Sequence, residues 1–339
     1  MKNYKNAWFI NFNGIGNGII IAPILKCFEE SLSKVKYYHN ENKILSDKWF
    51  IKHAELKNIS GFSPAKWRRF EKKYWKEIIE FIGKNKINLI INLRNEGPRY
   101  DKEYYLLKDI LKKKKIIFWD LDFRVIEKRK KQKNLTKDIL LMLNKSGINI
   151  RSYNPKWLSS KNNRKNIGLG IVASQNNKRW STEKWIELSK KLTSKSSERI
   201  ILFAGTSRED LEKARKIRNA LNFDRCDIIF DKPLSLIAKE LGKLKCFVSN
   251  DTGLLHISNA AETPTVGIYI STDPEVWSPY NKKNFSFCTN SFMKKCPARK
   301  VHCGNCYHYY DSCIAIAKYG DNISPEKVFN SIEKMLRKS

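Results

Sequence analysis

Val248-Ser249-Asn250-Asp251-Thr252-Gly253-Leu254-Leu255-His256 starts as an apolar strand, crosses a short polar turn and enters a helix at a glycine. A strand that passes into a helix over so few residues is a joint of a parallel α/β sheet, and such sheets bind ligands beyond the carboxyl ends of their strands. The same alternation recurs outward from this stretch. Strands are predicted at 167–172, 200–204, 227–230, 246–249 and 265–270, with helices near 182–192, 207–220, 234–241 and 253–261. The first half repeats the theme, with strands at 7–12, 35–38, 87–93 and 116–119 and helices near 74–82, 104–111 and 135–143. Residues 151–166 are polar, carry Pro155 and lack sustained periodicity. The chain is therefore divided there into two α/β domains, 1–160 and 166–323, with a cleft between them. Ser324 as cap and Pro325 at the first helical position mark a last helix in 324–339, which either closes the second domain or braces the two.

At 339 residues and 41% hydrophobic content the chain is about twice a usual domain and can fill two cores. Ten Pro and 15 Gly are too few for a low-complexity chain. Lys and Arg number 66 against 34 Asp and Glu, a formal net charge of +32. That points to anionic partners: nucleic acid, a phosphorylated small molecule, an acidic glycan or an anionic membrane surface. A lysine-biased background composition is the plainer account of part of the excess. The amino-terminal stretch is a poor secretory signal and no apolar run approaches the ~18 residues that span a bilayer, so the expected location is cytoplasmic.

The turn after the strand at 246–249 can receive a phosphate. Exposed N–H groups and the positive end of the helix dipole favour an anion, Gly253 permits close approach, Thr252 can donate a hydroxyl, and Asp251 can orient sugar hydroxyls. A ligand-free helix cap is the plain alternative, as is a satisfied core histidine for His256. After the strand at 167–172, Lys178 offers a point charge and Arg179 a forked donor suited to a pyrophosphate; solvated loop cations are the plain alternative. Gly205-Thr206-Ser207 again follow a strand, where a base or ribose could lie. Gly14, Gly16 and Gly18 do not complete a dinucleotide fingerprint, since the required further glycine falls on isoleucine. Cys296, Cys303, Cys306 and Cys313 offer four soft ligands in one loop-rich segment, suited to structural zinc or iron. A redox pair, a disulfide or free thiols are the alternatives.

Three linked stretches, GIGNGIIIAPIL at 14–25, NKRWSTEKWIEL at 177–188 and VSNDTGLLHISNAAETPTVGIYISTDPEVWSP at 248–279, resemble in order and spacing the lipopolysaccharide heptosyltransferases, glycosyltransferase family nine. The resemblance implies two Rossmann-like domains facing a central cleft, the GT-B architecture. It implies an inverting transfer of a sugar, typically a heptose from ADP-heptose, to a hydroxyl of an anionic lipid-linked glycan such as the lipopolysaccharide core. The amino-terminal domain would bind the acceptor and the carboxy-terminal domain the nucleotide sugar, with no cofactor for catalysis. The family's donor-phosphate lysine falls on Lys178, and its donor-binding aspartate, threonine and glycine on Asp251, Thr252 and Gly253, with His256 following. Gly205, Thr206 and Ser207 would lie near the adenosine. A cysteine-rich segment is also familiar in these relatives.

One position departs from the family. The aspartate proposed there as general base is Asn17 here, directly after Gly16, and an amide cannot remove a proton at neutral pH. Three readings follow. Asn17 orients the acceptor while Glu96 or Asp120, each just beyond a first-domain strand, takes the proton; or proton removal is late and phosphate stabilisation supplies most of the rate; or the protein is a weak homologue acting in binding. Arg94, Arg99 and Lys102 are candidates for anionic groups of the acceptor. The rival from another class is a basic nucleic-acid-binding protein with a cysteine-held metal. Two α/β halves and scattered aromatics argue against it, so no nucleic acid is expected as partner. A basic surface would give peripheral contact with an anionic membrane.

Overall fold

Short apolar runs bounded by polar turns become the strands of two parallel sheets, one in each of two compact units, Met1–Asn154 and Pro155–Ser339. The computed structural model describes residues 4–10, 14–32, 34–40, 42–64, 67, 70–92, 101–120, 134–151, 153–158, 163–221, 223–281, 284–290 and 322–337, with the backbone alone at 40, 101, 102, 120 and 223.

The first unit runs β1 (Asn6–Ile10), α1 (Ile15–Ser31), β2 (Lys36–Asn40), α2 (Lys48–His53), β3 (Ile59–Ser63), α3 (Trp75–Lys84), β4 (Leu89–Asn92), α4 (Asp101–Lys113), β5 (Ile117–Asp120) and α5 (Leu135–Lys145). Its strands pair in parallel in the order β3-β2-β1-β4-β5. A buried carboxylate anchors α1. Glu29 accepts hydrogen bonds from the backbone N–H groups of Lys57 at 2.8 Å and Asn58 at 2.6 Å and from the Tyr37 hydroxyl at 2.7 Å. Burial and then the adjacent Glu29 push the Tyr37 phenol upward, so it stays a donor. Gly18 has a steric reason. A β-carbon there would collide with Asn42 Oδ1 and the Ile44 side chain, and Asn42 in turn holds the Gly14 carbonyl through its amide at 3.1 Å. The glycine-rich entry to α1 therefore serves to let the next loop pack against the helix.

The second unit runs β6 (Lys165–Gly170), α6 (Thr182–Lys195), β7 (Ile200–Phe203), α7 (Arg208–Asn219), β8 (Cys226–Ile229), α8 (Leu234–Leu241), β9 (Leu244–Asn250), α9 (Gly253–Ala260), β10 (Thr265–Tyr269), α10 (Pro274–Trp277), β11 (Phe285–Thr289) and α11 (Pro325–Leu336). Its parallel strands lie in the order β11-β10-β9-β6-β7-β8. Counted from its own first strand this is 3-2-1-4-5-6, the doubly wound order whose direction reverses between the first and fourth strands. On α6, Trp185, Leu188 and Leu192 recur at helical spacing and are buried. Each such side chain contributes about 1.5–3 kcal/mol through burial. The last helix closes this same unit: Val328, Phe329, Ile332 and Met335 form the buried face of α11, which packs on α6, β9, β10 and β11. Its start is fixed by the Ser324 hydroxyl, which accepts from Lys327 N at 3.2 Å, and by Pro325 in the first turn. Among the described residues, no helix is long and apolar enough to cross a membrane.

Two strands fall outside the sequence reading, β3 and β11. Both are edge strands, β3 interrupted by Gly61 and β11 carrying an exposed Phe287, so neither shows the continuous apolar run by which buried parallel strands are recognised.

Candidate functional site

In the second sheet the order reverses between β6 and β9, and the polar groups gather at the carboxyl ends of β6, β9 and β10. The loop after β6 carries Lys178, β9 ends directly before Asp251, and β10 leads to Thr272. Lys178 Nζ donates to Asp251 Oδ2 at 2.8 Å, and Thr272 Oγ1 donates to the same oxygen at 2.8 Å. The aspartate side chain is 8% exposed and the lysine 20%, so the pair is shielded from the screening that weakens surface ion pairs. The backbone is tied as well. Asn250 Oδ1 accepts from Trp180 N at 3.1 Å, and Asp251 N donates to the Ile268 carbonyl at 3.1 Å. The β6 loop is thus fastened to the end of β9 at two consecutive residues.

Beside this pair, α9 begins without a cap of its own. Thr252 occupies the N-cap position with extended backbone, its hydroxyl makes no cap bond, and the first turn has no acidic side chain. Leu255 N donates to the Thr252 carbonyl at 3.1 Å, and the N–H groups of Gly253 and Leu254 ahead of it are the ones placed to meet an anion. His256, one turn further, is buried. Burial lowers its pKa most, Asp251 opposes, and Lys178 lowers it further, to about 4; the ring is neutral at pH 7.

The other residues singled out in this unit have structural duties. Arg179 donates through Nε to the Ala173 carbonyl at 2.8 Å and through Nη1 to Glu209 at 3.2 Å, bracing its loop against α7. The Ser207 hydroxyl caps α7 by accepting from Asp210 N at 3.1 Å. At Gly205 a β-carbon would collide with the buried Asp210 carboxylate, so a glycine is required there for close approach; Thr206, next in the turn, is exposed. A small cavity of about 140 Å³ lies next to this site, lined by Ile171, Arg179, Trp180 and Lys213 among others. A larger one of about 530 Å³ sits at the amino ends of β6 and β9, away from the charged pair. Two of its acidic linings are neutralised, Asp227 by Arg199 and Glu240 by Lys243.

In the first unit Asn17 is half-buried in the first turn of α1. Asn92 and Asp120 are the last residues of β4 and β5 and stand opposite one another in the register. Glu96, Arg94 and Arg99 lie outside the described residues, and so do Cys296, Cys303, Cys306 and Cys313; the side chain of Lys102 is likewise not described. Among the described residues, no group of three or more His, Cys, Asp or Glu could hold a metal ion, and Cys27, Cys226, Cys246 and Cys288 are buried. Sequence reading missed Asn250 and Thr272. Both lie inside the 248–279 stretch but carry no charge, and the contacts that give them meaning join residues 70 and 21 positions apart.

The model for glycosyltransferase family 9 (heptosyltransferase) matches residues 114–306, more than half of the chain. Lipopolysaccharide heptosyltransferase 1 of Salmonella typhimurium is 33% identical over 118 residues, covering 35% of this chain and 36% of that protein. Lipooligosaccharide heptosyltransferase 2 of Campylobacter jejuni is 23% identical over 348 residues, covering 95% and 96%. Apart from the Campylobacter protein, the match spans about a third of the length of the curated relatives. Among solved structures, Escherichia coli heptosyltransferase WaaC with ADP superimposes with a TM-score of 0.64 at 17% identity, covering 97% of this chain and 99% of that one. The fold is the two-lobed GT-B-like one of that structure, each lobe a parallel sheet with helices.

Proposed function

Because the chain belongs to glycosyltransferase family 9, the heptosyltransferase family, we propose that it is an inverting glycosyltransferase that moves a heptose from ADP-heptose to a lipopolysaccharide core or related surface-glycan acceptor. The observation that carries the reading is the Lys178–Asp251 pair at the reversal point of the second sheet, beside the uncapped amino end of α9. In this reading the diphosphate lies on the N–H groups at Thr252 and Gly253 with the Lys178 ammonium against it. Asp251 and neutral His256 face the sugar, and Gly205, Thr206 and Ser207 border the adenosine. Arg179 holds the loop that carries Lys178. The acceptor oxygen attacks the anomeric carbon from the face opposite the phosphate. The bond to the phosphate oxygen breaks with its electron pair leaving on ADP, and the charge that develops there meets the ammonium and the helix amides, where fixed donors are most effective.

The acceptor proton goes to a carboxylate of the first unit. Asn17 orients the hydroxyl, and Asp120 or Glu96 accepts the proton. Asp120 stands at the carboxyl end of a strand, the edge at which parallel sheets present their working groups. The acceptor's anionic groups and the anionic inner membrane surface are met by the lysine-rich surface. The four clustered cysteines, outside the described residues, would hold a structural zinc or iron through their thiolates, a metal that would brace the chain and take no part in the transfer. The reaction itself needs no cofactor.

The test is release of ADP from ADP-heptose by the full chain with a heptose-deficient lipopolysaccharide acceptor. Saturable turnover supports the reading. Binding of polyanions alone, lost at moderate salt, would replace it with a nucleic-acid-binding one. Stoichiometric zinc or iron in protein purified under reducing conditions supports the metal, and its absence removes it.

A further inference from the structure

We propose that Thr272 is a positioning residue for the donor sugar: by donating its hydroxyl proton to Asp251 Oδ2 it sets the plane of that carboxylate and presents Oδ1 to hydroxyl groups of the transferred sugar. The inference rests on the reading of ADP-heptose as donor and adds a residue to it.

Asp251 is an asymmetric carboxylate. Oδ2 accepts two bonds, from Lys178 Nζ and from Thr272 Oγ1, each at 2.8 Å, whereas Oδ1 accepts none from the described residues and is not among the sealed, unpartnered polar atoms. The two donors are unequal in what they can enforce. An ammonium on a four-carbon stem is a point charge that follows whichever oxygen is nearest. Thr272 is 7% exposed and β-branched, with few staggered positions for its hydroxyl, so it distinguishes one oxygen from the other. The Asp251 backbone is pinned at the same time through its N–H to the Ile268 carbonyl at 3.1 Å. With backbone and Oδ2 both fixed, Oδ1 keeps its lone pairs for a ligand. An ionised carboxylate oxygen only accepts hydrogen bonds, and its natural complement is a sugar hydroxyl or a pair of neighbouring ones. The ligand class served by Thr272 is therefore the polyhydroxylated glycosyl group, and its influence should be felt by the sugar and not by the nucleotide.

The experiment compares wild type, Thr272→Val, Thr272→Ser and both Asp251→Asn and Thr272→Val/Asp251→Asn in the full chain. The readouts are kcat and KM for ADP-heptose and the inhibition constant of ADP, which lacks the sugar. Thr272→Val is nearly isosteric but has no donor. It should lower kcat/KM for ADP-heptose about tenfold, the scale of a hydrogen bond to a charged group, while ADP inhibition stays within about twofold. Thr272→Ser should restore most of the loss. In the Asp251→Asn background Thr272→Val should add less than about twofold, because the group through which it acts has been changed. Wild-type kinetics in Thr272→Val would overturn the inference, and so would a fall in ADP affinity in step with ADP-heptose, or a full Thr272→Val effect persisting beside Asp251→Asn. A wild-type protein that neither binds nor turns over ADP-heptose would instead reject the donor assignment, and the inference with it.

Discussion

The entry to α1 in the first unit and the entry to α9 in the second are comparable joints, α1 following the first strand of its sheet and α9 the fourth strand of its own. Each helix follows a strand at the reversal point of a doubly wound sheet, each starts without a side-chain cap, and neither has an acidic residue in its first turn. Other helices are capped: Asp47 and Asn134 in the first unit and Ser181, Ser207 and Ser324 in the second each bond the start of their own helix. Leaving a start uncapped costs about 1 kcal/mol, and the two joints spend it differently. At α9 the uncapped amides sit beside an ion pair and a buried neutral histidine. At α1 the first turn presents Asn17, an amide, and the helix is held by interior contacts at Gly18 and Glu29. Topology alone does not make an anion site; the charged side chains delivered by adjacent strands do.

The largest expected effect separates the joints by charge. Lys178→Ala should lower kcat/KM for ADP-heptose by about 10²–10³-fold, the loss that follows removal of one preorganised group facing developing charge. Steady-state kinetics measure it, and Lys178→Arg should recover only part because a planar fork does not replace a point charge. Glu29→Gln attacks the first unit instead. It exchanges the charged acceptor of two backbone N–H groups and the Tyr37 hydroxyl for a neutral amide oxygen and sets an NH2 donor beside the Lys57 N–H, and should cost about 2 kcal/mol in urea unfolding, with ADP affinity of the folded protein within about twofold of wild type.

A pH titration isolates the second unit. The His256 pKa is depressed from 6.5 to about 4 in the folded protein, so between those values the unfolded chain binds the extra proton. This group's contribution to stability is complete above pH 6.5 and is lost as pH falls toward 4, by at most about 3 kcal/mol. Unfolding curves of wild type and His256→Gln should differ in slope over that window and run parallel above it. The smallest effect concerns the departure at α1. Asn17→Asp should raise kcat by up to about tenfold and leave the donor KM unchanged, whereas Asp120→Asn or Glu96→Gln should lower kcat about 10²-fold at whichever residue takes the proton.

Most of the fold is legible in the sequence because buried parallel strands announce themselves as apolar runs, as in LIIN at Leu89–Asn92 and IILF at Ile200–Phe203. Edge strands do not, and β3 and β11 escaped for that reason. Candidate residues of the site can be named from the sequence, and the bonds between them cannot. Lys178 and Asp251 can each be read from a local turn, but their bond spans 73 residues. Arg179 reads as a phosphate ligand because its own sequence surroundings hide Ala173 O and Glu209, which occupy it in the fold. Thr272 is silent, a hydroxyl in a turn, until β10 lies beside β9. Nor does spacing reveal that Gly205 is there for Asp210.

The central claim, that the carboxyl edge of the second sheet grips a diphosphate leaving group, is tested most directly by a crystal structure of the full chain with ADP-heptose. The account predicts phosphate oxygens within about 3 Å of Lys178 Nζ and of the first backbone N–H groups of α9, with the sugar beside Asp251. A nucleotide sugar bound elsewhere, with the Lys178–Asp251 pair still closed and the start of α9 open to solvent, would contradict it.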